Sequence, residues 1–243
     1  MDKCVVITGS NRGIGLELVR KYASMGYRVF ACMRNLEEAT QIEFDRLQEK
    51  YNIIITPICF ELADQNEMKN AFKKIKEQTD GVDILVNNAG VSEVKVFGML
   101  KEEDLQKQMS INFIAPIIFS QYMAKLMRKR TNACIINIGS VSGLKNEKGG
   151  LAYGASKAAL IYATKTMANE LAQYGIRVNC ISPGFINTDM WKDRKSELIQ
   201  QMIKDTPLNR QGTARDIANM VYFITSSDAS YVTGENIVVN GGR

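Results

Sequence analysis

Seven short apolar runs punctuate the chain: "CVVIT" (4–8), "RVFACM" (28–33), "IIITPICF" (53–60), "ILVN" (84–87), "CIINI" (134–138), "RVNCIS" (177–182) and "NIVVN" (236–240). They are continuous rather than alternating and rich in β-branched residues, the pattern of strands covered on both faces. Between them lie amphipathic stretches with helical spacing at 14–25, 36–51, 65–79, about 101–130, 153–174 and 213–225. Strict alternation of strand and helix predicts parallel βαβ units. It therefore predicts a single-domain, doubly wound α/β fold whose parallel sheet has about seven strands with helices on both faces. No Gly/Ser-rich linker, low-complexity tract or repeat divides the chain, so residues 1–243 read as one domain. The least regular region is 184–212, which holds Gly184, the only Trp (Trp191), mixed charges and Pro207. A segment of this kind after a strand is a candidate substrate lid, at about 187–210, or else a plain surface excursion.

Composition narrows the chemistry. The chain has 243 residues, 45% hydrophobic and 23% charged, with a formal net charge of +5 spread along its length. Such a mild basic excess suits phosphate-bearing small molecules or an acidic partner at least as well as nucleic acid, and the expectation is no nucleic-acid partner. Histidine is absent, which removes His-based triads, His metal sites and His general bases together. All five cysteines (Cys4, Cys32, Cys59, Cys134, Cys180) fall in apolar, strand-like runs without CxxC spacing. They read as buried thiols of a reducing compartment, with no metal site. No apolar run approaches the ~18 residues of a membrane span. A strand beginning by Cys4 leaves no room for a signal peptide, so a cytoplasmic protein is expected.

Two motifs carry candidate chemistry. The first strand runs into "VITGSNRGIGLEL", where Gly9, Gly13 and Gly15 (GxxxGxG) open the first helix. Glycines there permit a tight turn, let backbone approach a pyrophosphate, and aim a helix amino terminus at it. An acid at the end of strand two usually holds a ribose 2′-hydroxyl, whereas basic groups hold a 2′-phosphate. Here that strand ends "CMRN", giving Arg34 with no acid before Glu37, and Arg12 sits within the glycine turn. Two guanidiniums suit a phosphate dianion, favouring NADP(H) over NAD(H). The second motif is "LAYGASKAAL" (151–160), in which Tyr153 and Lys157 lie four apart. On a helix they share a face, and a nearby ammonium favours phenolate. The pair alone reads first as an ordinary surface helix.

Taken in order, "TGSNRGIG" (8–15), "NNAG" (87–90), "SINFIAP" (110–116), "INIGSVSG" (136–143), "YGASK" (153–157) and "VNCISPGFINTDM" (178–190) widen the picture. The chain resembles the short-chain dehydrogenase/reductase family from end to end. Its carboxyl-terminal stretch 207–242 is most similar to the 3-oxoacyl-acyl-carrier-protein reductase-like branch. The resemblance implies a Rossmann-type fold and an NADP-dependent oxidoreductase acting on a CH–OH/C=O group. Tyr153 then matches the acid–base residue, and Lys157 the lysine that binds the nicotinamide ribose and lowers the tyrosine's pKa. Ser140 matches the hydroxyl that holds the substrate carbonyl. Asn112 matches the asparagine whose backbone distorts its helix and retains a water of the proton path. Gly9, Asn11, Arg12, Gly13, Ile14 and Gly15 match the phosphate turn, and Arg34 the 2′-phosphate site. Glu61 and Leu62, where the family more often has Asp-Val, would border the adenine. Asn87, Ala89 and Gly90 would line the adenine ribose, and Pro183, Gly184, Ile186 and Thr188 would hold the nicotinamide end.

Substrate is less constrained. A 3-oxoacyl thioester on acyl carrier protein is favoured by the carboxyl-terminal similarity and by basic "RKR" (128–130). Against it, the position often held by a second docking Arg is Tyr174, the segment 90–105 departs from that branch, and Asn240 precedes Gly241–Gly242 where Asp is common. The alternatives are another carbonyl substrate (sugar nucleotide, steroid or small ketone) and, as a different class, a non-catalytic NADP-binding regulator. Met190, Trp191 and Met202 are candidates to line an apolar pocket, or to pack in a core or an oligomer. The resemblance also implies a homo-oligomer, tetramer or dimer.

Overall fold

A computed structural model describes residues 3–188 and 196–243. The seven apolar runs form one parallel sheet: β1 (Cys4–Thr8), β2 (Arg28–Met33), β3 (Ile55–Cys59), β4 (Ile84–Asn87), β5 (Cys134–Ile138), β6 (Arg177–Pro183) and, at its far edge, Asn236–Val239. Their spatial order is β3-β2-β1-β4-β5-β6 and then Asn236–Val239, every neighbour pair parallel. The chain reverses direction of winding between β1 and β4, which pair in the register Val5↔Ile84, Val6↔Leu85 and Ile7↔Val86. In sheets of this type ligands bind beyond the carboxyl ends of the strands at that switch point. Pro57 is accommodated because β3 lies at an edge, where a missing N–H costs no ladder bond.

Helices cover both faces. On one, α1 (Gly13–Ser24) buries Leu18, Val19, Tyr22 and Ala23, and α2 (Glu38–Tyr51) buries Phe44 and Leu47, against the sheet. On the other, α3 (Gln65–Lys76) contributes Met68, Ala71 and Ile75 to a second core with Phe30 and Phe119. The alternating residues of each strand divide between the two cores: Val5 and Ile7 face the first, Cys4 and Val6 the second.

The region 101–130 is not one helix. It divides into α4 (Glu102–Met109), a π-helical turn at Ser110–Ile114, and α5 (Ala115–Met127). Asn112 sits in that turn, fully buried, and its side chain leaves the helix to grip the strand β4 exit: Nδ2 donates to the Val91 carbonyl at 2.8 Å and Oδ1 accepts from the Val91 N–H at 2.8 Å. A side chain drawn away in this manner is a cause of a π-bulge. The helix α6 (Leu151–Leu171) begins two residues before Tyr153.

The irregular region is more structured than its composition suggests. It contains a two-residue strand β7 (Ile186–Asn187), the helix α7 (Ser196–Lys204) and a two-residue strand β8 (Gly212–Thr213) that pairs parallel with β7. It leads into α8 (Ala214–Thr225), with the last sheet strand, β9 (Asn236–Val239), beyond. Of the expected lid, residues 189–195, with Met190 and Trp191, lie outside the described residues. One cysteine expectation is corrected: Cys59 is exposed, while Cys4, Cys32, Cys134 and Cys180 are buried. Cys59 ends the edge strand β3, which has a neighbouring strand on one side only.

Candidate active site

A cleft of about 1030 Å³ runs along the carboxyl ends of the strands. Its floor is the glycine turn after β1. Gly9 takes a left-handed φ of +69°, and a Cβ there would fall 2.9 Å from the Ala89 Cα. At Gly15 an added Cβ would lie 1.9 Å from the Gly9 carbonyl oxygen, so only glycine lets the start of α1 sit under the turn. Side chains cap α3 and α8, through Asp64 and Thr213. The first turn of α1 has no such cap, and its residues Gly13 and Ile14 line the cleft. Orphan N–H groups at a helix amino terminus attract an anion.

Asn11 and Arg12 line the same floor; Arg34, Glu61 and Leu62 line the wall beyond β2 and β3. Arg34 stands 4.0 Å from Glu61 at a well-exposed position, a pair too solvated to hold either group firmly. Ala89 and Gly90 line the middle, and Pro183, Gly184, Ile186 and Thr188 the opposite end. Gly15 lies beneath the turn rather than on the cleft surface.

Asn87 does not line the cleft, contrary to expectation. It is buried at the end of the central strand β4, where Nδ2 donates to Ser120 Oγ at 2.9 Å and to Asn137 Oδ1 at 2.8 Å. The neighbouring Asn88 faces the cleft instead and stitches β4 to the glycine turn, donating to the carbonyls of Thr8 (2.9 Å) and Gly9 (3.1 Å). Thr8 Oγ1 answers by accepting from the N–H groups of Asn88 and Ala89, both at 3.0 Å. Period-two alternation along "VNNA" was the signal that one asparagine faces in and the next out.

Beyond β5, Ser140 Oγ accepts from the Ser142 N–H at 3.1 Å, fixing a short turn, and hydrogen-bonds the Tyr153 phenol. One helical turn on, Lys157 is 3% exposed. Its Nζ donates to the Ile138 carbonyl at 2.7 Å and lies 5.8 Å from the centre of the Tyr153 ring. Burial holds this ammonium down to about 8. The phenol of Tyr153 is pushed up, by burial foremost and by the nearby Glu147 carboxylate, with Ser140 opposing. The Lys157 ammonium turns to the Ile138 carbonyl, and burial outweighs the lowering influences on the phenol. Asn112 does not line the cleft. It backs the site, donating also to Ser156 Oγ at 3.0 Å, and a Cβ on Gly90 would fall 3.1 Å from its Oδ1 and 3.5 Å from Lys157 Nζ.

Met202 and Leu198 of α7 line the cleft, and so do Ser142, Glu147, Lys148 and Arg243. Of these only Met202 was singled out from sequence. Leu198 shares α7 with it, and the rest lie outside the long helices and strands, with no periodicity to mark which side chain turns inward.

A dinucleotide-shaped floor at the switch point, with a hydroxyl, a phenol and an ammonium one strand away, defines an oxidoreductase of CH–OH/C=O groups. The chain belongs to the short-chain dehydrogenase/reductase family: the family model described as enoyl-(acyl carrier protein) reductase matches residues 9–243. It is 36% identical over 240 residues to 3-oxoacyl-acyl-carrier-protein reductase FabG of Aquifex aeolicus, covering 99% of this chain and 96% of that one. Identity to the 3-oxoacyl-acyl-carrier-protein reductase of Bos taurus is also 36%, over 100% of this chain and 98% of the relative. Among solved structures, L-sorbose reductase from Gluconobacter frateurii, complexed with NADPH and L-sorbose, superposes with a TM-score of 0.92 at 28% identity, covering 99% and 96%.

Proposed function

We propose that this protein reduces a ketone to a secondary alcohol with NADPH, and that its substrate is a 3-oxoacyl thioester. The observation that carries the reading is the convergence of Ser140, Tyr153 and Lys157 on a cleft floored by the glycine turn. The residues present fit the cofactor. Gly9, Gly13 and Gly15 leave a backbone cradle that a Cβ would fill or strain, and the uncapped start of α1 offers N–H groups to a pyrophosphate. Arg12 and Arg34 hold the 2′-phosphate, whose dianion competes well against the single, solvated Glu61 carboxylate beside Arg34. Asn11 and Ile14 complete the floor, Leu62, Ala89 and Gly90 border the adenosine, and Pro183, Gly184, Ile186 and Thr188 hold the nicotinamide.

When bound, NADPH supplies the hydride. Ser140 Oγ and the Tyr153 hydroxyl hold the substrate's carbonyl oxygen, and Tyr153 gives up its proton as negative charge develops there. Burial, which raises this phenol, keeps it protonated near neutrality but weakens it as an acid, so its neighbours must stabilise the phenolate that forms. The Ser140 hydrogen bond works in the other direction and stabilises the phenolate that remains. Lys157 holds a ribose hydroxyl and, when protonated, lends positive potential to that phenolate. Asn112 stands behind Lys157, and the π-helical turn it occupies would hold a water that leads protons towards Lys157.

The thioester assignment is supported by the relatives' names and by the apolar wall that Val94, Val141, Phe185, Leu198 and Met202 give the substrate end. Likeness to L-sorbose reductase favours a second reading, a small polyol ketone. A turnover screen with NADPH decides: 3-oxobutanoyl thioesters should be reduced with kcat/KM at least tenfold above L-sorbose, and the reverse order would overturn the assignment. Free buried thiols support a cytoplasmic location, and exposed Ile114 and Tyr162 support a homo-oligomer, which light scattering would read as a mass above 27.2 kDa.

A further inference from the structure

Beside the substrate end of the main cleft lies a second cavity of about 230 Å³ that shares Val141, Glu147, Gly184, Phe185 and Arg243 with it. Three cations line this region, two from the loop 144–150 and one from the distant position 243. Lys145 lines the outer cavity, Lys148 the cleft, and Arg243 both. All three are exposed, and among the described residues none of their charged groups has an ion pair or hydrogen bond. Arg243 is held by its backbone instead: Asn240 Nδ2 donates to its carbonyl oxygen, and Asn240 Oδ1 accepts from the Gly242 N–H at 3.0 Å. Asn240 thus fixes the turn that carries Arg243 over the mouth without using its guanidinium.

Some surface cations of this protein are matched, as Arg210 is by Asp216 and Lys95 by Asp104. At the mouth they are left unmatched although a carboxylate is near. Glu147 bonds Ser142 Oγ at 3.1 Å and faces the Tyr153 phenol rather than pairing with a cation. Its charge opposes a carboxylate next to the reacting carbonyl, while at the outer cavity, which it also lines, Lys145 and Arg243 outnumber it and attract an anion. The substrate so described is neutral around its ketone and anionic at a distance.

We propose that Lys145, Lys148 and Arg243 form a phosphate-binding collar for the phosphopantetheine arm of a 3-oxoacyl thioester. This rests on the thioester reading above. A cavity of that size has room for a phosphate group with several waters, and three flexible cations suit a phosphate met at a solvated rim. Coenzyme A and a carrier protein present the same phosphate, so the collar serves either source.

The test compares 3-oxobutanoyl-pantetheine with 3-oxobutanoyl-phosphopantetheine, which differ only in the phosphate. In the wild type at low salt, the phosphorylated thioester should have a KM about tenfold lower, an advantage that fades with added salt. In the triple variant K145A/K148A/R243A the two KM values should coincide. The control K69A/K73A/K76A, which removes three exposed charges on α3, should keep the advantage and so separates the collar from net charge. Equal KM values in the wild type, or an advantage that survives in the triple variant, would overturn the collar. Binding of phosphopantetheine itself to the NADPH-saturated enzyme, by calorimetry, needs no turnover. No binding in the millimolar range there refutes the collar, whereas collar-dependent binding without thioester reduction refutes the thioester reading alone. The same pair of thioesters on coenzyme A and on a carrier protein then shows which source is preferred.

Discussion

The two ends of the cleft are held by different means. At the β1–β3 end, the shape is made by backbone: a left-handed Gly9, the close contact of Gly15 with the Gly9 carbonyl, and the Thr8–Asn88 stitch between adjoining strands. Its helix α1 buries five residues against the sheet. At the substrate end the walls are side chains on loops and on α7, a helix with no buried residue. The first end tolerates little change because backbone cannot move aside, and it suits a fixed ligand. The second can be rebuilt without touching the core, which is how one fold serves many substrates. Tyr153 and Lys157 stand at the junction, on a helix fixed at both ends of their turn by Ser140 and Ile138.

The largest effect should come from that junction. Replacing Tyr153 with Phe removes the proton donor and keeps the ring, so turnover should drop by a factor on the order of 10³, while NADPH affinity, measured by fluorescence titration, should change little. Retained turnover would end the acid–base role and leave both ends of the cleft without a chemical link.

Lys157→Met probes the same junction through stability. The folded-state value of about 8 lies below the unfolded 10.5, so below pH 8 both states carry the ammonium and the native state bears its full burial cost, roughly 3 kcal/mol. Between 8 and 10.5 the unfolded state binds more protons, and that cost recedes as pH rises. The cofactor-free variant should therefore be more stable than wild type at pH 7, by up to about 3 kcal/mol less the lost hydrogen bond to Ile138, and the gap should shrink by about 2 kcal/mol by pH 9.5. Buried thiols and phenols titrate with opposite sign in this range, but all except Cys180, which lies in the field of Lys157, are common to both proteins and cancel in the difference. A gap independent of pH, from urea denaturation, would mean that Lys157 titrates normally.

Arg34→Ala sharpens the contrast at the cofactor end. Loss of one charge-assisted phosphate contact should weaken NADPH binding about tenfold or somewhat more, with NADH binding and the substrate KM nearly unchanged. Equal losses for both cofactors would remove Arg34 from the 2′-phosphate site.

What was legible in the sequence follows the same division. Seven strands were readable because buried parallel strands are unbroken apolar runs, and "GSNRGIG" because glycine spacing is itself the backbone geometry. The break at 110–114 was not visible as periodicity, since the apolar pattern runs on through it and the cause, Asn112 reaching Val91, is a tertiary contact. Asn87 and Asn88 were confused because the motif contains both and only strand alternation separates them. Cys59 looked buried because an edge strand reads like a central one. Glu147, Lys148 and Arg243 carried no signal, being brought to the cleft by loops whose paths only the fold determines.

The smallest effect should be found at α7, and it bears most directly on the contrast. Leu198 lines the cleft yet is 46% exposed, so truncating it to Ala deletes little burial and should alter unfolding stability by less than about 0.5 kcal/mol. The same truncation removes apolar surface offered to a bound acyl chain, at about 25 cal/mol per Å² covered, so the KM for a longer 3-oxoacyl thioester should rise a few-fold while that for NADPH stays fixed. In hydrogen exchange, α7 should exchange well before α1, because few buried contacts mean a low local opening energy, and thioester should slow it. Protection of α7 equal to that of α1 without substrate would make the substrate end as fixed as the cofactor end, and would place specificity in its shape rather than in its closure.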